Sequence, residues 1–344
     1  MRIFNVMMSR DLGGIQQAFL DYSKALTLQN HQVINITSFN ARINYFILNS
    51  YRLLNLGSWC IISKLIFRIL ILFYKPDIII CHGNRAINFA IFFKNRKIPI
   101  IGVAHNYSVK HLKKCDHILT LTNKLNQHLS LSNIDSQKIH MLPNMINITH
   151  KYSSREFNSP IIIGSIGRFV EKKGFIHLIE AISILKNKNY NIKLHLGGDG
   201  IEKDILKNKA IELNINQDVI FQGWVDDKAQ FFKDIDIFCL PSLDEPFGII
   251  LLEAMLFSKP IIATNSGGPQ EIIQDKQDGL IVNIDVSTKY INLSNNIAIT
   301  IEKLINEPQL AKNLSQNAYI KLNKNYDISI ISQKLTTILE NIIK

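Results

Sequence analysis

All along the chain, short apolar runs rich in Ile and Val alternate with longer stretches in which apolar residues recur every three to four positions. The short runs read as strands buried on both faces, and the longer ones as helices that cover them. In the first half this pattern predicts strands near 2–7, 32–37, 77–81, 98–104 and 117–122. In the second half it predicts them near 161–166, 192–196, 218–221, 236–240, 260–264 and 280–282. Alternation of this kind is the mark of parallel α/β layers, and its extent predicts two doubly wound domains. The periodicity lapses before residue 160, where the polar stretch Thr149-His150-Lys151-Tyr152-Ser153-Ser154-Arg155 precedes the run Ile161-Ile162-Ile163. The expected division is therefore a first domain over 1–148, a linker over 149–160 and a second domain over 161–326. A helix over 327–344 is a candidate to pack back on the first domain.

Length agrees with this, since 344 residues exceed what one hydrophobic core usually organises. The four cysteines, Cys60, Cys81, Cys115 and Cys239, are dispersed without C-x-x-C spacing, so neither a disulfide framework nor a zinc site is expected. No metal or other cofactor is predicted. Residues 1–8 read as a first strand and not as a signal peptide, because no long apolar stretch follows the early arginine. The most apolar segment, 59–74, is interrupted by Lys64 and Arg68 and falls short of a membrane span. A reduced, cytoplasmic setting is expected.

Charge changes the picture once the chain is divided near residue 150. Residues 1–150 hold 17 Lys and Arg against five Asp and no Glu, a net +12; the remainder holds 22 against 23, a net −1. So one-sided a field predicts that the first half meets something anionic. An anionic membrane leaflet on the inner face of the cytoplasmic membrane is the expected partner, presenting a lipid-linked or phosphorylated acceptor. Lys64, Arg68 and Lys75 are spaced four and seven residues apart and would share one helix face. The same spacing also suits a core helix whose single exposed edge is basic. Nucleic acid is not expected, since no recognition motif accompanies the charge.

Ligands of parallel sheets bind beyond the C-terminal strand ends, and four clusters fall there. Gly13-Gly14 follows the first strand, where glycine lets the backbone approach a ligand or simply makes a tight turn. Gly167-Arg168-Phe169-Val170-Glu171-Lys172-Lys173-Gly174 follows the first strand of the second half; its cations can neutralise a diphosphate, or be a solvated basic turn. In Pro241-Ser242-Leu243-Asp244-Glu245-Pro246-Phe247-Gly248-Ile249-Ile250-Leu251-Leu252-Glu253, the apolar run around Glu253 predicts a buried carboxylate that wants hydroxyl donors. Helix-start charge for Glu245 and a structural ion pair for Glu253 fit the spacing equally well. The fourth cluster, Pro260-Ile261-Ile262-Ala263-Thr264-Asn265-Ser266-Gly267-Gly268-Pro269-Gln270-Glu271, can turn backbone N–H groups toward phosphate or sugar oxygens. Glu271 is also readable as a helix-start residue. Asp226-Asp227 reads as a surface turn.

Together, Gly-Arg-x(4)-Lys-Gly, Gly197-Gly198-Asp199-Gly200, Phe221-x-Gly223, the E-x(7)-E pair Glu245 and Glu253, and Gly267-Gly268-x-x-Glu271 resemble the retaining glycosyltransferase family 4, the group 1 type, over roughly 161–282. In the first half the resemblance rests on Gly13-Gly14, Lys75-Pro76-Asp77-Ile78-Ile79-Ile80, His105 and Pro143-Asn144. It implies a GT-B fold, two Rossmann-like doubly wound parallel-sheet domains facing across a cleft. It also implies metal-independent transfer of a hexose from a UDP- or GDP-sugar to a saccharide or lipid-linked acceptor, such as a lipopolysaccharide core. By resemblance the catalytic residues are Arg168, Lys173, His105 and Glu245. Those around the donor are Gly13 and Gly14, then Gly167, Gly174, Gly198 and Trp224, then Pro246, Phe247, Gly248, Ile249, Ile250 and Glu253, and finally Gly267 and Gly268. The nearest rivals are a nucleotide-sugar epimerase of the same fold and a nucleotide-sugar-binding protein without turnover. A nicotinamide dehydrogenase is disfavoured, because no G-x-G-x-x-G follows the first strand.

Overall fold

The computed structural model describes residues 1–10, 13–47, 49–54, 61–92, 97–154, 156–285, 287 and 290–344. The chain divides into two compact units, Met1–Asn147 with Asn325–Lys344, and Ile148–Lys324. Unit 1 runs β1 (Arg2–Met7), α1 (Gly14–Leu28), β2 (Gln32–Ser38), β3 (Ser50–Leu53), α2 (Ile61–Tyr74) and β4 (Ile78–His82). It continues through α3 (Asn84–Ile91), β5 (Ile100–Ala104), β6 (His117–Thr120), α4 (Asn123–Leu131) and β7 (Ile139–Met141). Unit 2 opens with β8 (Ile161–Ile166), α5 (Phe175–Asn187), β9 (Ile192–Gly197), α6 (Lys203–Glu212), β10 (Val219–Gly223) and α7 (Lys228–Asp234). Then come β11 (Ile237–Leu240), α8 (Ile249–Leu256), β12 (Ile261–Thr264), α9 (Pro269–Ile272), β13 (Leu280–Val282), α10 (Leu293–Asn306) and α11 (Pro308–Asn325). The last helix, α12 (Ile328–Ile343), belongs to unit 1.

Each unit holds one sheet. The order is β3-β2-β1-β4-β5-β6-β7 in unit 1 and β10-β9-β8-β11-β12-β13 in unit 2. All pairings are parallel, so the two doubly wound domains expected from the hydrophobic pattern are present. Strand order reverses between β1 and β4, and again between β8 and β11. The connections leaving those strand ends part in opposite directions and open a crevice at the C-terminal edge. The central strands are buried throughout β4, β5, β11 and β12, which explains their unbroken Ile-rich runs.

β3 and β7 are not marked by the hydrophobic pattern. Both are edge strands with one neighbour; β3 leaves Tyr51 and Arg52 exposed, and β7 has only three residues. Neither carries an apolar run to find. The polar segment read as a linker is held on unit 2. There the Tyr152 hydroxyl donates to Lys312 O at 3.1 Å, and Ser153 N donates to Ser258 Oγ at 3.1 Å. Helix α12 lies on α1, where Gln29 Nε2 donates to Ser332 Oγ at 2.9 Å and His31 Nε2 lies 3.0 Å from Thr336 Oγ1.

Helix α2 departs from both sequence readings. It ends at Tyr74, and Lys75 takes a left-handed backbone (φ 46°), so the proposed basic face stops at Arg68. Only Ser63, Phe67 and Leu70 are buried, whereas Ile61, Ile62, Leu65, Ile66, Ile69, Leu72 and Phe73 face solvent. Half of a 14-residue helix is thus large, exposed apolar side chain. Trp59, at the start of the predicted segment, and Cys60 lie outside the described residues. Among the described residues no helix is long and apolar enough to cross a membrane.

Candidate active site

Three loops meet at the C-terminal edge of the unit 2 sheet, because β8, β11 and β12 are neighbours. The loop after β8 is pinned to the next strand end, with Gly167 N donating to Gly197 O and Phe169 N to Asp199 O, both at 2.9 Å. It is tied on its other side to the loop after β11, whose Leu243 N donates to Lys172 O at 2.8 Å. That loop is bound in turn to the one after β12, since Glu245 N donates to Ser266 O at 3.1 Å and Gly268 N to Glu245 O at 2.7 Å. The Thr264 hydroxyl adds a bond to Ser242 O.

Two glycines are dictated by this lacing. Gly174 has φ 64°, and a Cβ there would lie 2.2 Å from Pro241 O. At Gly268 a Cβ would lie 2.3 Å from the Phe247 Cα. Any side chain at either position would push the loops apart. Gly248 starts α8 without a side-chain cap or an acidic residue in its first turn, which leaves the N–H end of a buried, apolar helix open to an anion.

The charged side chains then fall into place. Lys173 forms an ion pair with Glu245 across the first and second loops, both largely buried. Lys228, at the start of α7, pairs with Glu253 Oε1 at 2.6 Å. Glu253 is 7% exposed, and its second oxygen, Oε2, is buried without a hydrogen-bond partner among the described residues. A buried carboxylate oxygen of this kind is an acceptor that a ligand hydroxyl would satisfy. Arg168 is exposed, and among the described residues nothing engages its guanidinium. Trp224, just past β10, is 42% exposed, and Gly198 N donates to Gly223 O at 2.6 Å. Pro246 and Phe247 are buried, and Ile249 and Ile250 half-buried, at the mouth of α8. Gly267 is paired with Glu245 across the loops.

Unit 1 carries the other residues singled out by sequence. Gly13 and Gly14 open α1, with Gly13 O accepting from Gln16 and Gln17 N at 3.1 Å. His105 directly follows β5, partly buried, and desolvation pushes its imidazole down to about 3. It is neutral at any ordinary pH.

Three participants escaped sequence reasoning. Lys228 lies just after Asp226-Asp227; Asp227 caps α7 by accepting from Gln230 N at 2.9 Å. The exposed turn hid the lysine behind it, although its place after a strand end was the available signal. Thr264 and His82 are strand-terminal residues at the ends of apolar runs; Thr264 falls in the fourth cluster, but the sequence assigned neither residue a role. The cysteines Cys81, Cys115 and Cys239 are buried.

Residues 148–321 match the family described as Glycosyl transferases group 1, and residues 12–150 match Glycosyltransferase Family 4. The chain belongs to the glycosyl transferases group 1 family. Within that family it is 35% identical over 162 residues to the lipopolysaccharide core biosynthesis glycosyltransferase LpsE of Rhizobium meliloti, covering 47% of this chain and 44% of that protein. The chain thus spans less than half the length of LpsE. An uncharacterized glycosyltransferase of Haemophilus influenzae is 26% identical over 98% of this chain and 99% of its own length. Among solved structures, Anabaena HepE in complex with UDP and glucose superposes with a TM-score of 0.84 at 18% identity, over 99% of this chain and 100% of that one. The group 1 member described here therefore has the two-domain GT-B fold, as the resemblance implied.

Proposed function

We propose that this glycosyltransferase moves a hexose from a UDP- or GDP-sugar onto a saccharide or lipid-linked acceptor of the lipopolysaccharide core type, with retention and without a metal ion. The observation that carries the reading is Glu253: a buried carboxylate with one oxygen on Lys228 and the other unsatisfied, among loops that also present Arg168, Lys173 and the open end of α8. A ribose hydroxyl is the donor that Oε2 lacks. The diphosphate then meets Arg168, Lys173 and the α8 N–H groups, which stabilise negative charge as the sugar C1–O bond breaks. Glu245 orients Lys173 through their ion pair and accepts from a sugar hydroxyl. Retention and the place of His105 at the donor sugar rest on the family likeness, and HepE's complex with UDP and glucose supports a nucleotide donor.

The test is a thermal-shift screen of nucleotide sugars followed by a transfer assay in EDTA. A donor at 100 times its dissociation constant stabilises the folded state by about 2.7 kcal/mol. Glu253→Gln, which offers a weaker acceptor, is expected to lose most of that shift. Transfer is expected to survive EDTA, because fixed cations stand where a metal would. Loss of transfer with rescue by Mg²⁺ or Mn²⁺ would refute metal independence, and an unchanged shift in Glu253→Gln would refute the ribose assignment.

For the acceptor side, the exposed apolar face of α2, carrying Lys64 and Arg68 within the +12 half, supports seating on an anionic leaflet at the inner face of the membrane. Cations at such a face are worth roughly 1 kcal/mol each, and the apolar residues add a part that salt does not screen. Co-sedimentation with anionic vesicles is therefore expected to fall only in part at high salt. Lys64→Glu/Arg68→Glu should remove the salt-sensitive part, and Leu65→Ser/Ile69→Ser/Leu72→Ser the remainder. Folded variants that sediment like the wild type would exclude this surface.

A further inference from the structure

The ends of β4 and β5 press two imidazoles together. His82, the last residue of β4, is 2% exposed, and its Nδ1 lies 3.1 Å from Nε2 of His105. The two ring planes differ by 26° and the centroids lie 5.3 Å apart, so the imidazoles meet end to end through these nitrogens. From α1, Phe19 and Tyr22 close over His82 edge-on, with centroids at 5.6 and 4.9 Å. Burial holds His82 well below the usual imidazole range, reinforced by His105, and holds the Tyr22 phenol protonated. Among the described residues, the ring neighbours that α1 gives this pair are aromatic.

Two neutral imidazoles at this separation share one proton, and there are two ways to place it. If His105 Nε2–H donates, His82 carries its own proton on Nε2. That nitrogen is buried and has no partner among the described residues, so the arrangement strands an N–H donor. If instead His82 Nδ1–H donates, the buried Nε2 is a bare lone pair. Orphaned buried N–H donors are the rarer defect in folded proteins.

We propose that His82 is a positioning residue whose Nδ1–H donates to Nε2 of His105, fixing His105 as the Nδ1–H tautomer. His105 then meets its ligand as a hydrogen-bond donor through Nδ1–H and has no free basic nitrogen, so it holds a sugar hydroxyl oxygen and takes no proton. This use of the pair rests on the reading of His105 as facing the donor sugar. His82 lies at the switch between β1 and β4, where the crevice of the unit 1 sheet opens, which places the buried partner directly beneath the residue that it orients.

Long-range ¹H–¹⁵N spectra of the ring nitrogens in the full chain, labelled at histidine, read the tautomer directly. The expected result is a protonated Nδ1 and an unprotonated Nε2 at His105, lost in His82→Phe and restored in His82→Asn, whose amide can donate. Turnover in His82→Phe is expected to fall about tenfold, with recovery in His82→Asn and with the thermal shift given by UDP or GDP unchanged. A protonated His105 Nε2 in the wild type, or a tautomer indifferent to His82→Phe, overturns the proposal, and the wild-type spectrum alone decides this if the phenylalanine variant fails to fold. Full turnover in His105→Ala, with the tautomer as expected, instead overturns the role of His105 at the sugar and with it the function assigned to the pair.

Discussion

Arg168→Ala is expected to lower kcat about 100-fold or more, the usual consequence of deleting one preorganised group that stabilises transition-state charge, while leaving the unfolding transition unmoved. Arg168 is exposed at the loop after β8 and gives the fold no side-chain hydrogen bond or ion pair among the described residues. Substitutions at such positions usually change stability by less than about 0.5 kcal/mol. Lys173→Ala is expected to match it in rate but not in stability, because it strands Glu245. Both members of that pair are largely buried, at 18% and 11% side-chain exposure, so the loss is on the order of 1–3 kcal/mol. Adding Glu245→Gln removes the stranded charge and should return much of the stability without returning the rate. Steady-state kinetics at saturating donor, alongside denaturant unfolding, separate the two effects. Near-normal kcat in both single variants would remove these residues from the leaving group.

The second large effect is expected at Gly174. Gly174→Ala forces a side chain into a left-handed backbone at roughly 1–3 kcal/mol and drives its Cβ toward Pro241 O, an overpacking that costs a similar amount. Gly223 provides the control, with φ 70° and open space around the position of a Cβ. Gly223→Ala should show the backbone part alone. The difference between the two unfolding free energies measures how tightly the loops after β8 and β11 are held together; equal losses would mean that the first loop yields.

The strands at 2–7, 161–166 and 280–282 were legible to the residue, because each is a compact apolar run bounded by polar or glycine-rich sequence. β3 and β7 were not, since an edge strand need not be apolar. The loops bearing Arg168, Glu245 and Gly267 were legible for the same reason as the strands they follow. Their partnerships were not. Lys173 and Glu245 are 72 residues apart, and only the adjacency of β8 and β11 joins them. Lys228 and Glu253 likewise come together from two different helices, α7 and α8. His82 is hidden more completely, because in sequence it is merely the polar end of Ile78-Ile79-Ile80-Cys81, and its meaning comes from His105, which stands beside it just after β5.

The return of α12 to α1 sets an order on how the molecule is made. Unit 2 is one uninterrupted stretch of chain, so everything it needs has left the ribosome once residue 324 has emerged. Unit 1 is not; Gln29 and His31 wait for Ser332 and Thr336, which are synthesised only after all of unit 2. Until α12 is in place, the basic domain therefore stands open along α1, whereas unit 2 needs no segment made after it. Domains usually fold in the order in which they emerge; here the first to begin is the last to finish, and a chain truncated just short of residue 328 would carry every residue of the second unit but an unsealed first one.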